Sequence, residues 1–283
     1  GTISDSRLNF NAGSFYEHWY TTSPGSIPLS TWNPGSTCIV SEYTTNNLPP
    51  GNIAQSFDNF IWNTPNLNQD IDLSGAFTFL NSLTFASTGR GTINFSGSAD
   101  YAFGIGADFI VSGSSSVIFT EDANALIQVG GNFIFTSSSS LTAESGTGSA
   151  TFEVFGNVTL GNSSGEFNAP TIMGIGGNFT NDGTFIHNAG TIRFMEGIPQ
   201  SISGSSSTIF YNINIENTQG VSVESSVRLA GVITLEALTV FDADGATDSG
   251  VFTLLSTADN AANDAAIAPI PGDATFTGNV TVQ

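Results

Sequence analysis

Short runs in which apolar and polar residues alternate recur along most of the chain. Clusters of Gly, Ser and Asn separate these runs, and no stretch has the repeat period of a helix. Alternation with a period of two buries one side of a strand and exposes the other, so the chain is predicted to be all-β. Clear examples are Phe109 with Val111, Phe133 with Phe135, Phe152 with Val154, Val158 with Leu160, Ile192 with Phe194, and Ile213 with Ile215.

Sequence segments also recur at intervals of one structural turn. SGSSSVIF at 112–119 returns as SGSSSTIF at 203–210. The segments GADFIV, GGNFIF, GNVTL and GGNFTN place similar polar residues at equivalent positions, 24, 25 and 21 residues apart: Asp108, Asn132, Asn157 and Asn178. Repeats of roughly this length are typical of solenoids, in which each repeat forms one coil.

A sandwich or barrel would also contain many short strands, but the repeat length favours a solenoid coil of three strands and three turns. NDGTFIH at 181–187 and NAGTIRF at 188–194 would then be successive faces, with Phe185, Ile192 and Phe194 facing inward. We therefore predict a right-handed parallel β-helix with apolar columns inside. Roughly nine coils fit beyond residue 70, which corresponds to a rod about 40 Å long.

The first 65 residues have a different character. They contain all three Trp (Trp19, Trp32 and Trp62) and the single Cys, Cys38. A terminal coil exposes apolar columns and strand edges that need to be covered. We predict an N-terminal β-rich cap at 1–65 and a parallel β-solenoid at 66–283. The alternative is a small β-rich domain continuous with the rod.

Composition limits the partners of this chain. It has no Lys, four Arg and 24 acidic residues, giving a formal charge of −20. Such a charge repels nucleic acids and anionic membranes, and no run approaches the roughly 18 apolar residues of a membrane span. Neither nucleic-acid binding nor membrane insertion is expected, and a single Cys excludes an intrachain disulfide framework.

Candidate nucleophiles and bases are few. GNSSG at 161–165 fits the G-x-S-x-G pattern with Ser163 as nucleophile, but that elbow needs a helix after the strand, and the next residues have no helical pattern. We expect His187 to lie in or at the edge of an apolar column, because it aligns with Phe194. His18 could be a base or ligand, yet the two His are far apart in sequence and predict no zinc site.

Carboxylates could in principle form a glycosidase pair, and Glu153, Glu166 and Asp182 are the candidates. No motif connects them, so we expect solvated surface positions. Enzymes acting on acidic polysaccharides need cations, and this chain has only Arg7, Arg90, Arg193 and Arg228. No catalytic residue and no organic cofactor is predicted.

One acidic turn could hold a metal ion. FDADGATDSG at 241–250 offers Asp242, Asp244 and Asp248 around a Gly, and Ca²⁺ favours several oxygens from one tight loop. The segment resembles the start of an EF-hand loop but lacks its later acidic ligands. These three residues form either a calcium site or an acidic surface turn without a metal ion.

Two long segments carry a family resemblance, GTIRFMEGIPQSISGSSSTIFYNINIEN at 190–217 and TLLSTADNAANDAAIAPIPGDATFTGNVTVQ at 253–283, together with WNPGSTCIV at 32–40 and FIWNTPNLNQDIDLSG at 60–75. They resemble solenoid regions of large secreted surface proteins of Bacteroidetes, which commonly leave the cell by the type IX system. The spaced pattern consists of Gly190, Phe194, Gly197, Gln200, Ile202, Gly204, Phe210, Asn212, Ile215 and Asn217. The resemblance implies a secreted, cell-surface location.

Three functions remain in competition. The first is a non-enzymatic, extracellular structural or adhesive module that contacts other surface-protein modules. The second is a subunit that self-associates head to tail into a filament through open solenoid ends. The third is a glycan-binding or glycan-degrading β-helix protein that uses the Trp and Tyr of the first 65 residues, although those aromatics are expected to be core.

Overall fold

A computed structural model describes residues 8–96, 99–161, 164–195, 197–245, 250–255 and 266–282. Every regular element in these ranges is a strand, and they contain no helix that could cross a membrane. The first fifteen strands are β1 (Leu8–Phe10), β2 (Phe15–Trp19), β3 (Ser30–Trp32), β4 (Thr37–Ser41), β5 (Phe57–Asn63), β6 (Ile71–Asp72), β7 (Phe79–Asn94), β8 (Tyr101–Ile105), β9 (Phe109–Thr120), β10 (Ala125–Val129), β11 (Phe133–Phe135), β12 (Leu141–Glu144), β13 (Ala150–Val154), β14 (Val158–Leu160) and β15 (Glu166–Asn168). The remaining strands are β16 (Ile172–Ile175), β17 (Phe179–Asn181), β18 (Thr184–Ile186), β19 (Thr191–Phe194), β20 (Gln200–Ser203), β21 (Thr208–Phe210), β22 (Asn212–Ile215), β23 (Val221–Val223), β24 (Ser226–Leu229), β25 (Val232–Leu235), β26 (Val240–Asp242), β27 (Val251–Leu254), β28 (Ala266–Ile267), β29 (Thr275–Thr277) and β30 (Val280–Val282).

Strands β1 and β3 pair with each other in a separate two-stranded parallel sheet, and the other strands stack in three parallel ladders, one for each face of a coil. The first ladder contains β2, β4, β5, β7, β9, β11, β14, β17, β20, β23, β26 and β29. The second contains β8, β10, β13, β16, β19, β22, β25 and β28. The third contains β6, the later parts of β7 and β9, β12, β15 and β18, followed by β21, β24, β27 and β30.

This topology is a β-solenoid of about ten turns, and the predicted fold class is confirmed. Nine strands of the first ladder lie beyond residue 70, from β7 to β29, in agreement with the expected coil number. At a strand spacing of about 4.8 Å, the twelve rows of the first ladder span about 50 Å.

The core consists of apolar columns that run along the inside of the ladders. Every second residue of each strand points inward, so equivalent residues of successive coils stack. Phe185, Ile192 and Phe194 are buried as predicted, with 9%, 2% and 0% of their surfaces exposed. One column of the first ladder runs through Cys38, Phe60, Leu83, Phe109, Phe133, Val158, Phe179 and Ile202.

Three strands of the N-terminal region join the first ladder. Strands β2, β4 and β5 pair in parallel with one another and with β7, so this region is continuous with the rod. Trp32, Trp62, Tyr43 and Cys38 are buried there. A protective role for residues 1–65 as a cap stays a prediction.

Corners explain why Gly and Asn recur. In the two SGSSS copies, Gly113 and Gly204 have φ values of 59° and 122°, in the region that favours glycine. A Cβ on them would collide with the carbonyl oxygens of Ala86 and Asn181 in the preceding coil. Glycine at these positions lets coils stack at strand spacing.

A ladder of side-chain hydrogen bonds follows another corner. The backbone N–H of Asn132 donates to Asp108 Oδ1 at 2.7 Å, and that of Asn157 donates to Asn132 Oδ1 at 2.9 Å. The N–H of Asn178 donates to Asn157 Oδ1 at 2.8 Å, and that of Ser201 to Asn178 Oδ1 at 2.9 Å. The residues aligned by sequence repeat thus occupy equivalent corners, where each supplies an acceptor that the backbone of the next coil needs.

Candidate functional site

The acidic turn is partly inside the described structure. Asp244 is buried, and its Oδ2 accepts hydrogen bonds from the backbone N–H and the side-chain amide of Asn279, at 3.0 Å and 2.8 Å. Asp242 Oδ1 lies 3.5 Å from the Thr277 hydroxyl, while Asp248 lies outside the described residues. Asp244 therefore caps the next coil as the Asn corners do. The described residues contain no group of three His, Cys, Asp or Glu placed to hold a metal, and calcium binding here stays a prediction.

Ser163 also lies outside the described residues, but its flanks are described. Strand β14 precedes it, and the next element is another strand, β15, rather than a helix. A nucleophile elbow needs a strand that leads into a helix. The described residues on either side of Ser163 therefore do not form the strand and helix that this motif requires.

His187 lies at a corner, beside the column rather than within it. Strand β18 ends at Ile186, and Asn188 and Ala189 have φ values of 46° and 55° that turn the chain. The half-buried ring stacks on Tyr211 with centroids 5.5 Å apart, and its Nδ1 accepts the N–H of Ala189 at 2.9 Å. Partial burial lowers the pKa of His187. The predicted equivalence with Phe194 fails because the strand ends one residue too early.

His18 is a buried structural residue of β2. Its Nε2 lies 2.7 Å from the Pro24 carbonyl oxygen, which can only accept, so Nε2 carries the proton. Nδ1 then accepts from the Tyr16 hydroxyl at 3.2 Å, and the ring stacks on Tyr20 at 4.4 Å. Burial lowers the pKa of His18, against the opposing effect of the Pro24 carbonyl. Both nitrogens are therefore used inside the fold, and a neutral ring is favoured.

A group of charged side chains surrounds Arg193 on the second ladder. Its Nε and Nη2 donate to the two carboxylate oxygens of Glu216 at 2.7 Å and 2.8 Å, while Nη1 lies 3.7 Å from Glu153. Gln128 donates to the other oxygen of Glu153 at 2.8 Å. The hydrogen bonds to Glu216 raise the pKa of Arg193, and burial opposes them. Glu153 is thus part of an ion-pair network.

The other two candidate carboxylates lie elsewhere on the coil. Glu166 is an exposed residue of β15 on the third ladder, and Asp182 is at the corner after β17. Asp182 Oδ1 accepts from both the backbone N–H and the hydroxyl of Ser205, each at 2.8 Å, and these bonds lower its pKa. Glu153 is on the second ladder. The structure therefore does not place Glu153, Glu166 and Asp182 together on one face of the coil.

A groove of about 560 Å³ lies along the outward side of β8, β10 and β13. Tyr101, on its wall, donates its hydroxyl to the Phe119 carbonyl at 2.7 Å, and burial raises the pKa of Tyr101. Asp100 accepts from the backbone N–H of Asn124 at 2.9 Å. Tyr101 and Asp100 are therefore engaged in hydrogen bonds within the fold.

The outermost described strand of the first ladder carries an exposed aromatic strip, defined by Phe15, Glu17 and Trp19 of β2. Phe15 and Trp19 are 67% and 62% exposed, and Ser41 donates its hydroxyl to Glu17 Oε1 at 2.9 Å. The expectation of a buried aromatic core is correct for Trp32 and Trp62 and wrong for Trp19. The period-two pattern of FYEHW contains the missing signal, because Trp19 shares its side of the strand with charged Glu17.

At the other end, the last described coil leaves its columns partly open. Ile267, Phe276 and Val280 pack against the core but remain half-buried. Cys38, in contrast, is fully buried between Tyr16 and Phe60, and burial raises its thiol pKa. The thiol therefore lies inside a column and cannot reach a joint between copies without local opening.

No known protein family, curated protein or solved structure matches this chain. The resemblance to Bacteroidetes surface proteins therefore stays a prediction. What the chain does has to be inferred from its own residues and contacts.

Proposed function

We propose that the chain is a non-enzymatic structural or adhesive module of a secreted surface protein, acting as a stiff spacer that displays other parts. The observation that carries this proposal is the continuity of the parallel ladders from β2 to β29. Each coil shares backbone hydrogen bonds and apolar columns with the next, so bending between coils would break close-packed contacts.

The states of the reactive side chains support the same proposal. His18 uses both ring nitrogens internally, and Glu153 is engaged by Arg193 and Gln128. Asp182 and Asp244 satisfy backbone N–H groups of the following coil. Freeing any of these groups for chemistry would leave a structural partner unpaired, with a cost of about 1–3 kcal/mol where that partner is buried.

An extracellular location is part of this proposal. It is supported by the resemblance of 190–217 and 253–283 to exported surface proteins and by a chain rich in Ser, Thr and Asn. An antibody raised against the folded chain should label intact cells of the source organism. Labelling that requires permeabilised cells would overturn the location.

The spacer role is tested by fusing a donor and an acceptor fluorescent protein to the two ends. A stiff rod predicts a single long separation that stays constant as urea rises, until cooperative unfolding. A broad distribution of separations at low urea would contradict stiffness. Incubation with neutral and acidic polysaccharides should release no reducing sugars, and release that Glu153→Gln abolishes would replace the proposal with an enzymatic one.

A second candidate is head-to-tail assembly into a filament. It is favoured by the half-buried column ends at Ile267, Phe276 and Val280, which a further coil could cover. The occupant would be the first coils of a second copy. Electron microscopy at high concentration should show filaments that Phe276→Asp abolishes, whereas short monodisperse rods at every concentration would rule this candidate out.

A further inference from the structure

The aromatic strip on β2 differs from the rest of the outward face of the first ladder. In the next rows, the positions in register with Phe15 are Thr37, Asn59 and Ser82, and those in register with Trp19 are Ser41 and Asn63. Most outward positions of this ladder therefore hold short or β-branched side chains. In contrast, β2 carries two large rings on this face, and each is more than 60% exposed.

The spacing of the rings suits an extended ligand. Phe15 and Trp19 are four residues apart on the same side of a strand, which corresponds to about 13 Å between their Cα atoms. Single exposed apolar residues are common on protein surfaces, but two exposed rings on the same side of one strand form an elongated apolar platform. Such a platform can contact two units of a polymer that runs parallel to β2.

Glu17 supplies a polar anchor between the two rings. Its Oε1 accepts the Ser41 hydroxyl at 2.9 Å, and Ser41 itself is only 5% exposed, so the carboxylate is held in place from below. A carboxylate is a strong acceptor for hydroxyl donors. Apolar platforms with an acceptor between them match the surface of a sugar chain, in which C–H faces alternate with hydroxyl groups.

Charge decides which sugar chains can bind. The protein carries a net charge of −20, and Glu17 lies within the strip itself. A polymer rich in carboxylate or sulfate groups would be repelled by this surface. An uncharged polysaccharide avoids that repulsion and still donates hydroxyl groups to Glu17.

We propose that Phe15, Glu17 and Trp19 form a binding site for an uncharged polysaccharide that lies along β2. Trp19 and Phe15 stack on two sugar units, and Glu17 accepts hydroxyl hydrogen bonds between them. This site goes beyond the spacer role, and either can fail without the other, because stiffness depends on the buried columns and binding depends on this exposed strip.

Binding is tested on the full chain by calorimetry and affinity electrophoresis with hydroxyethylcellulose, glucomannan and laminarin, and with alginate as the anionic comparison. At least one uncharged polymer should bind and alginate should not. Trp19→Ala should weaken binding about tenfold or more, Trp19→Phe should restore most of it, and Glu17→Leu should weaken it while the chain stays folded.

Phe155→Ala is the matched control, because Phe155 is 53% exposed and lies outside the strip. It should leave binding unchanged. The proposal is overturned if none of the three uncharged polymers binds, if alginate binds better, or if Trp19→Ala and Phe155→Ala behave alike. Self-association that Trp19→Ala abolishes, without polysaccharide binding, would also overturn it and assign the strip to contacts between copies.

Discussion

The central coils, from β8 to β25, and the first coils, from β2 to β5, reach the same parallel register by different means. In the centre, Phe, Ile and Val fill the columns, and amide or carboxylate side chains cap the corners at regular intervals. In the first coils, larger aromatic rings fill the interior and their polar ends are paired individually. Trp62 Nε1 donates to Thr64 at 2.9 Å, and Trp32 Nε1 donates to Gln55 at 3.1 Å.

The central coils use the same stabilising contacts in every row, whereas the first coils use contacts that occur only once. A central coil is stabilised by contacts that its neighbours repeat, so each column residue has equivalent residues above and below. The first coils depend on single contacts such as those of His18, which have no equivalent in the next row. The stability of the central coils should therefore fall when a column residue loses volume or a corner loses its cap. The stability of the first coils should depend on the protonation of His18.

The largest effect is expected from emptying a central column. Phe133 is fully buried and its ring packs against Phe109, Phe152 and Phe167 at centroid distances of 5.4, 5.0 and 5.3 Å. Phe133→Ala should reduce the free energy of unfolding by about 3–5 kcal/mol. Urea titration followed by circular dichroism measures this, and the exposed Phe155→Ala should change it by less than about 0.5 kcal/mol. Equal effects of the two variants would contradict the column.

A smaller effect is expected at the Asn corner. Asn157→Leu removes the acceptor of the Asn178 N–H and the amide donor to Asn132, and because these hydrogen bonds are exposed it should cost about 0.5–1.5 kcal/mol. Asn157→Asp keeps the acceptor, as Asp108 does in an earlier coil, and should cost less. Hydrogen exchange should show faster exchange of the Asn178 amide in the Leu variant alone. Equal protection in both variants would show that the ladder contributes nothing.

The surface ion pairs of Arg193 should have modest and unequal effects. Glu216→Gln breaks a bidentate contact at 2.7 Å and 2.8 Å, whereas Glu153→Gln removes a contact at 3.7 Å. We expect a loss of up to about 1 kcal/mol for the first and less for the second, both smaller in high salt. A double-mutant cycle with Arg193→Met measures each coupling. A larger coupling for Glu153 would contradict the geometry.

The smallest effect is a pH dependence that arises mainly in the first coils, where His18 is fully buried. Burial lowers the pKa of His18 below its ordinary value of 6.5, so below that pH the unfolded chain takes up the proton before the folded chain does. His18 therefore destabilises the fold as the pH falls from 6.5 toward its folded pKa. The unfolding midpoint should fall less between pH 7.5 and 5.5 in His18→Gln than in the wild type. His187→Gln is the control and should reduce this fall in the unfolding midpoint less than His18→Gln does. Identical pH profiles for all three proteins would refute the assignment of the pH dependence to His18.

Period-two alternation and the repeat step were sufficient to predict the fold, because both follow directly from stacked coils with one buried side. The alignment of Asp108, Asn132, Asn157 and Asn178 likewise marked a real corner. Strand ends were harder, since two left-handed residues, Asn188 and Ala189, decide where β18 stops and place His187 at the corner.

Contacts between ladder neighbours could not be predicted without the register. Arg193 and Glu216 are 23 residues apart, and only the pairing of β19 with β22 brings them together. The exposure of Trp19 also depended on which side of β2 faces the core. The sequence pattern indicated that side through Glu17, but the general expectation that Trp is buried outweighed it.

Successive coils stack at strand spacing with a fixed register, so outward residues of one ladder lie at regular intervals along the rod. Pulsed electron–electron resonance tests it with one spin label at Ile61→Cys and a second at Thr159→Cys, Thr180→Cys or Ser203→Cys, positions that follow one another in the first ladder. We expect separations of about 19, 24 and 29 Å, rising by one strand spacing per coil. Separations that fail to rise in this order would contradict this stacking.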